Sequence, residues 1–313
     1  MGRSQQRGAR INPIRLTYHR KTSREAESEL SVEPMLEQLR RDVTGKGVRL
    51  RVAECGHGEP VILLHGLFFD CTTWNRVGHG LCDSFRVIAP DLPGFGESEK
   101  PPKHRFKYSI PTFAEAIADL YGALELGRAS LVGHGLGGAV ALTLAASHPE
   151  LVSRLVLVDS LYHRPPMDFR QRIAMVPFLG GLVFKQLVGR SAFRTLIRDS
   201  LVPSRARIQQ QRIDAYYEAF NTPAARGSAL EAVRGTADTH LLTASTRRIQ
   251  APTLVVWGRH DNVYPAGYGH RLARDIRGAG FELMDAGHAP QEEQPEELAS
   301  IVGRFLRNER NAA

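Results

Sequence analysis

The apolar residues of this chain gather in short runs, and the segments between the runs have helical spacing. Continuous apolar runs, which are typical of strands covered on both faces of a sheet, occupy residues 61–64, 85–89, 129–133, 154–158 and 253–257. Residues 48–53 alternate between apolar and polar, as expected of a half-buried edge strand. A further strand is predicted at residues 281–284.

Helical periodicity separates these strands. Helices are predicted at residues 112–126, 266–276 and 295–306, with another beginning at Ala139. Thr112 and Glu115 form a capping-box pattern. Residues 25–43 indicate a modest helix that is followed by a turn at residues 44–47. Alternating strands and helices predict an α/β fold with a mostly parallel central sheet flanked by helices.

The alternation is interrupted at residues 161–250, which indicate helices without a clear strand. We therefore predict a first core segment at 25–160, a helical cap at 161–250 inserted after the sixth core strand, and a second core segment at 251–313. The apolar run at 173–188 fits a cap helix pair better than a membrane-seeking surface, because Gly180, Gly181 and Lys185 interrupt it.

Charge and composition restrict the partners. Of the net charge of +8, residues 1–24 supply seven basic and no acidic side chains, and the remainder is near +1. We interpret residues 1–24 as a basic flexible leader, with an organellar transit peptide as the alternative. No nucleic-acid-reading module accompanies this charge. Residues 1–24 contain no apolar stretch of signal-peptide length, so we expect no secretion by that route. The chain has no run of eighteen apolar residues, so we expect no membrane span.

Three cysteines without metal-ligand spacing, Cys55, Cys71 and Cys82, are expected to be reduced thiols of a cytoplasmic protein. We expect no metal and no cofactor. The expected partner is a small-molecule substrate or ligand, and the oligomeric state stays open.

One segment carries the strongest chemical signal. The strand at 129–133 leads into Gly133-His134-Gly135-Leu136-Gly137 and then into a helix. This is the setting of a nucleophile elbow, in which a sharp strand-to-helix turn presents a nucleophilic side chain. The central position usually holds Ser, and sometimes Cys or Asp, but here it holds Gly135.

Other motifs agree with the elbow in order and spacing. They are His65-Gly66 after an early strand, the turn at residues 91–98, residues 258–261 after a later strand, and Gly287-His288 followed by Glu292, Pro295 and Glu296. With these motifs the chain resembles the α/β-hydrolase superfamily from about residue 48 to 306. The resemblance is to its capped members: epoxide hydrolases, haloalkane dehalogenases, C–C bond hydrolases and small-ester hydrolases.

The resemblance implies roles for particular residues. His288 is implied as the general base and Asp261 as the acid that orients it, with Asp159 as the alternative acid. The backbone N–H groups of Leu67 and Leu136 are implied as an oxyanion hole.

Supporting roles are assigned to other motif residues. Asp91 and Glu97 are interpreted as turn residues that support the backbone, and His134 as a packing residue. Glu292 and Glu296 are expected at the surface or capping the last helix.

Gly135 cannot form a covalent intermediate, because it has no side-chain oxygen or sulfur. Replacement by Cys71, Thr72 or Ser160 is disfavoured, since none of them sits on an elbow.

Three hypotheses remain. The first is an enzyme that uses His288 and Asp261 with the oxyanion hole and no covalent nucleophile, so that water or the substrate supplies the attack, or a proton is abstracted as in a lyase or isomerase. The second is a Ser or Asp hydrolase whose nucleophile has been deliberately replaced by Gly. The third is a non-catalytic, ligand-binding pseudo-hydrolase.

The substrate is the least determined property. Aromatic and sulfur-containing residues of the 161–250 segment suggest a small apolar organic molecule, although the core of a cap explains the same residues equally well. They are Phe169, Met175, Phe178, Phe184 and Tyr216.

Overall fold

The computed structural model describes residues 39–163, 189–201, 208–237 and 239–308. Eight strands form one sheet. They are β1 (Leu39–Gly45), β2 (Val48–Cys55), β3 (Glu59–Leu64), β4 (Phe85–Pro90), β5 (Ala129–His134), β6 (Val152–Val158), β7 (Thr253–Gly258) and β8 (Gly280–Met284). The order is β1-β2-β4-β3-β5-β6-β7-β8. The β1–β2 and β2–β4 pairs are antiparallel and all other pairs are parallel.

Helices connect these strands. In chain order they are α1 (Asn75–Cys82), α2 (Ile110–Ala123), α3 (Leu136–Ser147), α4 (Arg190–Thr195), α5 (Gln210–Phe220), α6 (Pro223–Gly235), α7 (His240–Ser245), α8 (Ala266–Asp275), α9 (Pro290–Glu293) and α10 (Pro295–Leu306). Short 3-10 turns occupy Cys71–Trp74 and Thr246–Arg248, and a π-helical segment occupies Leu196–Leu201.

The sheet is covered on both faces. In β3, Ile62 and Leu64 belong to an apolar cluster that includes α2 and α3, whereas Val61 and Leu63 belong to a second cluster with α1 and α10. Successive side chains of a strand point to opposite faces, so a continuous apolar run fills two cores at once. The predicted α/β fold with a mostly parallel, helix-flanked sheet is therefore confirmed.

The start of the described chain corrects one prediction. Residues 39–43, predicted as the end of a helix, belong to strand β1, and the rest of that predicted helix lies outside the described residues. Strand β1 pairs with β2 across a two-residue turn in which Lys46 and Gly47 have φ of 53° and 68°. Two positive φ values are what a tight hairpin turn requires.

The first turn of α2 also differs from the prediction. The N-cap is Ser109 and not Thr112, and the two side-chain hydroxyls are hydrogen-bonded at 2.8 Å. Pro111 lies in the first turn, where its missing N–H costs nothing. The helix therefore begins one turn earlier than the capping-box pattern indicates.

The segment between β6 and β7 contains α4 to α7, and its described residues include no strand. Its aromatic residues Phe193 and Tyr216 are buried in the same cluster as α3. The predicted apolar run at 173–188 and the candidate lining residues Phe169, Met175, Phe178 and Phe184 lie outside the described residues. Within the described ranges, no helix combines the length and the apolar character that crossing a bilayer needs.

The cysteines also differ from expectation. Cys55 and Cys82 form a disulfide, with Cα atoms 5.7 Å apart, while Cys71 is buried and lies outside it. The end of β2 and the end of α1 meet here, because β2 pairs with β4 and α1 leads directly into β4. The prediction of three reduced thiols is therefore wrong for Cys55 and Cys82.

Candidate active site

Five loops meet at the carboxyl edge of the sheet. The loops after β3, β5, β6, β7 and β8 carry Leu67, Gly135, Asp159, Asp261 and His288, respectively. In open α/β sheets this edge is where ligands bind. The topology thus gathers residues that are up to 221 positions apart in the sequence, from Leu67 to His288.

His288 and Asp261 form a buried pair. The Nδ1 atom of His288 lies 2.8 Å from Oδ2 of Asp261, and the exposed fractions of the two side chains are 7% and 0%. A carboxylate only accepts hydrogen bonds, so Nδ1 carries the proton and donates it. The other ring nitrogen, Nε2, is consequently left unprotonated in the neutral ring.

The Asp261 carboxylate is fixed from its other side. Its Oδ1 accepts hydrogen bonds from the backbone N–H groups of Val263 (2.7 Å) and Tyr264 (2.8 Å). Burial opposes ionisation of Asp261, but attraction to His288 and the hydrogen bond between them outweigh it, so that the pKa of Asp261 is lowered. This carboxyl group is therefore the charged partner of the imidazole.

Asp159 lies beside this pair without bonding His288. Its Oδ1 accepts a hydrogen bond from the N–H of Gly258 at 2.9 Å, and its backbone φ is 40°. Burial raises the pKa of Asp159 well above its usual range, and the charge of Asp261 raises it further. Of the two candidate acids, Asp261 is the one hydrogen-bonded to His288.

Gly135 occupies the sharp turn between β5 and α3, with φ of 53° and ψ of −113°. A Cβ atom added to Gly135 would lie 3.7 Å from both Cα of Gly66 and Nε2 of His288, which is ordinary van der Waals contact. By contrast, a Cβ on the neighbouring Gly137 would come within 2.3 Å of the carbonyl oxygen of Leu64. The turn therefore has space for a side chain at Gly135, directly in front of the free nitrogen of His288.

The loop that carries Leu67 is held by a buried histidine. His65 donates from Nδ1 to the carbonyl of Gly66 (2.8 Å) and accepts at Nε2 from the N–H of Leu92 (2.9 Å). Burial lowers the pKa of His65, which keeps the ring neutral and both roles fixed. Within the described residues, the N–H groups of Leu67 and Leu136 donate no hydrogen bond to the protein. Both amides are thus available to an external acceptor.

His134, expected to be a packing residue, is buried and also makes a specific bond. Its Nε2 lies 2.7 Å from the backbone carbonyl of His288, to which it donates, and the two ring centroids are 4.9 Å apart. Burial and the neighbouring His288 lower its pKa to about 3. A neutral His134 therefore supports the loop that carries His288.

Sequence reasoning missed Glu293, which also supports this loop. Its carboxylate accepts hydrogen bonds from the N–H of Gly287 at 3.0 and 2.9 Å, and from the N–H of Ala289 at 3.3 Å. These amides flank His288. The available signal was Pro290, which marks the start of a short helix whose first turn contains Glu293.

Glu292, expected at the surface or as a cap, has a side chain that is only 5% exposed, so the surface prediction is wrong. It pairs with Arg212 of α5 at 2.6 Å, and the hydroxyls of Tyr216 (2.5 Å) and Thr73 (2.7 Å) donate to it. The partners come from two distant segments, α5 and the 3-10 turn at Cys71–Trp74, which local sequence patterns do not reveal. Glu296, in contrast, is exposed as expected.

The turn residues behave as expected. The Asp91 carboxylate accepts hydrogen bonds from the N–H groups of Cys71 and Glu97, both at 2.7 Å.

The hydroxyl groups of two alternative nucleophiles are engaged elsewhere. That of Thr72 donates to Asp70, and that of Ser160 donates to the carbonyl of Leu161. In the described part of the chain, no heavy atom other than those of Gly66 and His288 lies within 4 Å of a Cβ at Gly135, apart from its chain neighbours. None of the three alternative nucleophiles therefore takes the place of the missing side chain.

Comparison with known proteins now decides the family. The sequence pattern of the alpha/beta hydrolase fold family matches residues 59–295, which is most of the chain. The chain belongs to the α/β-hydrolase family. One relative is an uncharacterised protein of Mycobacterium tuberculosis, 33% identical over 284 residues that cover 85% of this chain and 80% of that protein.

Two further relatives of this α/β-hydrolase have named activities. A 2-hydroxymuconate semialdehyde hydrolase of a Pseudomonas species is 31% identical over 276 residues, covering 86% of this chain and 94% of that one. The solved structure of a meta-cleavage product hydrolase from Pseudomonas fluorescens matches with a TM-score of 0.73 and 25% identity, covering 86% and 98% of the two chains. The relatives thus include hydrolases of small organic molecules.

A small, mainly apolar cavity of this α/β-hydrolase lies between the loops after β3 and β4 and the inserted helices, and Asp70 is its acidic lining residue. Its lining includes Phe68, Phe69, Phe95, Tyr216 and Phe220. Phe68 packs edge-on against Phe193 and Phe220 of the inserted helices. Neither Gly135 nor His288 is among the lining residues. The cavity therefore adjoins the loop that carries Leu67 and not the His288–Asp261 pair.

Proposed function

We propose that this α/β-hydrolase acts on a small apolar organic substrate with His288 as general base, Asp261 as its orienting acid and no covalent nucleophile. The backbone amides of Leu67 and Leu136 stabilise the oxyanion. Water supplies the attacking oxygen in a hydrolysis, and in a proton abstraction the substrate itself supplies the proton.

One observation carries the proposal. The hydrogen bond from His288 to Asp261 directs the unprotonated Nε2 toward a space in front of Gly135 that would accommodate a side chain. A water molecule or a substrate C–H group in that space would be within reach of a base whose orientation is already fixed. Preorganisation of this kind is what a general base needs.

The hydrolytic cycle balances without a protein adduct. Nε2 takes one proton from water while the water oxygen bonds to the substrate carbonyl carbon, whose π electrons move to the oxygen. The resulting imidazolium is stabilised by ionised Asp261. When the tetrahedral intermediate collapses, the bond to the leaving group breaks and the proton on Nε2 passes to that group. His288 is thereby returned to its neutral form.

Proton abstraction uses the same groups. Nε2 takes a proton from the carbon next to a carbonyl group, and the negative charge moves to the carbonyl oxygen. A hydrogen-bond donor at such an oxygen is worth about 3–4 kcal/mol in the transition state. The Leu67 and Leu136 amides, which have no acceptor among the described residues, supply two donors.

The substrate class follows from the surroundings. The aromatic rings around the neighbouring cavity favour an apolar molecule. That the substrate is small is supported by relatives named for 2-hydroxymuconate semialdehyde and 2-hydroxy-6-oxo-2,4-heptadienoate. We infer that the inserted helices act as a cap that covers the site, since Phe193, Tyr216 and Phe220 pack over the loop after β3.

The test is turnover by His288→Ala. The native chain, this variant and the control His57→Ala are compared on p-nitrophenyl acetate, p-nitrophenyl butyrate and 2-hydroxymuconate semialdehyde. His57 is exposed and distant from the dyad in the sequence. Loss of a general base lowers the rate by about 10²–10⁴-fold. We expect that loss for His288→Ala and none for His57→Ala.

Two outcomes would contradict the proposal. Unchanged turnover in His288→Ala means that His288 is not the base. Absence of turnover in the native chain, together with a rise in its melting temperature when 2-hydroxymuconate semialdehyde is added, supports the ligand-binding pseudo-hydrolase instead.

A further inference from the structure

The two aspartates beside His288 differ in what they contact. Asp261 bonds His288 through Oδ2 and two backbone amides through Oδ1. Asp159 uses Oδ1 for the N–H of Gly258, and its Oδ2 is buried without a hydrogen-bond partner among the described residues. A buried polar atom without a partner is rare and needs a physical explanation.

The carboxyl group of Asp261 lies beside that of Asp159. One carboxylate oxygen of Asp159, one of Asp261 and one ring nitrogen of His288 all lie within 4.8 Å of one another, and all three residues are buried. Two ionised carboxylates at this separation repel each other strongly where water is excluded. A single proton between them removes the repulsion and satisfies Oδ2 of Asp159.

We propose that Asp159 is a carboxylic acid that donates a hydrogen bond to the Asp261 carboxylate, and that it thereby acts as a positioning residue for the His288–Asp261 pair. The catalytic part of this role rests on the proposed function. The pairing itself does not, because it follows from the buried geometry.

The surrounding charges favour the proton on Asp159. Asp261 faces His288, whose attraction stabilises its negative charge, whereas Asp159 faces Asp261 and, further away, the carboxylate of Glu293. His134 is close to His288 and Asp261, but it is neutral because its pKa is about 3. The burial of Asp159 raises its pKa, in agreement with this assignment.

The backbone supports a special role for Asp159. Its φ of 40° is uncommon for a residue with a side chain, and such conformations persist only where the surroundings enforce them. The constraint places the side chain between the Gly258 amide and Asp261. Asn tolerates positive φ nearly as well as Asp does.

Asp159→Asn is therefore a close mimic of the protonated acid. The amide oxygen can accept from Gly258 while the NH₂ group donates to Asp261. Asp159→Ala removes both contacts, and Asp261→Asn removes the charge that His288 needs. The exposed Asp83→Asn serves as the matched control.

The first measurement is the melting temperature from pH 5 to pH 8. A carboxyl group with a raised pKa in the folded state contributes stability that is present below the unfolded-state pKa and is lost as pH rises. The native chain carries this loss and Asp159→Asn does not. As the pH rises from 5 to 8, we expect the melting temperature of Asp159→Asn minus that of the native chain to increase by several degrees. The same difference for Asp83→Asn should stay constant.

The second measurement is the tautomer of His288, read from the ¹⁵N shifts of its ring. We expect the Nδ1–H tautomer in the native chain and in Asp159→Asn, and its loss in Asp261→Asn. Asp159→Ala is expected to lie between the two. These readouts need no turnover, so a protein that proves inactive would refute the proposed function and leave the acid pair intact.

Three results would overturn the pairing. If Asp159→Asn loses the tautomer as Asp261→Asn does, then Asp159 is the orienting acid. If its stability follows the native pH dependence, no proton is shared. If Mg²⁺ or Zn²⁺ raises the melting temperature of the native chain but not of Asp159→Asn, the cluster holds a cation and not a proton.

Discussion

Gly135→Ser is the substitution that the geometry of the turn between β5 and α3 makes most informative. The added Cβ would lie 3.7 Å from the Nε2 atom of His288, so a hydroxyl one bond further could reach hydrogen-bonding distance. The space for it exists, because the nearest described atoms are at ordinary contact distance. The variant would thus hold the three side chains of a Ser-His-Asp triad.

The magnitudes follow from the structure and from known triads. With φ of 53° at this position, any side chain carries a strain of about 1–3 kcal/mol. Gly135→Ser is therefore expected to melt a few degrees lower than the native chain. Removing a serine nucleophile from a complete triad costs up to about 10⁶-fold in kcat, so adding one here should raise ester hydrolysis by at least about 10²-fold.

The assay is labelling by a fluorophosphonate together with hydrolysis of p-nitrophenyl butyrate. Gly135→Ala is the matched control, because it introduces the same backbone strain without a hydroxyl. We expect Gly135→Ser to label and hydrolyse, and Gly135→Ala to behave like the native chain with a similarly lowered melting temperature. The reasoning fails if Gly135→Ser labels no better than Gly135→Ala.

Two further predictions concern the buried network around the site. Arg212→Met would leave Glu292 buried without its cation, and breaking such a pair lowers the free energy of unfolding by about 3–5 kcal/mol. In a denaturant titration, the double variant Arg212→Met/Glu292→Gln should regain part of this loss. Equal stability of the single and the double variant would contradict the pairing. For His134, a pKa lowered to about 3 means stability that is present above pH 6.5 and lost as the pH falls. Between pH 7 and pH 5 this loss amounts to about 2 kcal/mol of the free energy of unfolding. In His134→Gln, whose amide can still donate to the backbone carbonyl of His288, the free energy of unfolding should therefore fall less steeply with decreasing pH than in the native chain. Parallel plots of unfolding free energy against pH for the two proteins would refute the lowered pKa of His134.

The core strands and the sharp strand-to-helix turn at Gly135 could be predicted because their signals are local. A buried strand needs a continuous apolar run on both faces, as at Val61 and Ile62, and the run is visible in the sequence. The turn at Gly135 is marked by the strand before it and the glycines around it. The pairing of Asp261 with His288 was implied by the family resemblance, and the structure places the two side chains in hydrogen-bonding contact.

The remaining features depend on contacts between distant segments. Arg212 and Glu292 are 80 positions apart, and nothing near either residue indicates that they meet. Residues 39–43, for which the sequence predicts a helix, form part of strand β1, because pairing with β2 and not the local pattern determines their conformation. Likewise, the spacing of Cys55 and Cys82 does not reveal that β2 and α1 end side by side.

The central claim is that His288 promotes a reaction without any covalent intermediate. Its most direct test is the intact mass of the native protein, measured while it turns over p-nitrophenyl butyrate. The account predicts an unmodified mass throughout a turnover that His288→Ala has lost. A butyryl adduct in stoichiometric amount on the protein would contradict it, and so would turnover that does not depend on His288.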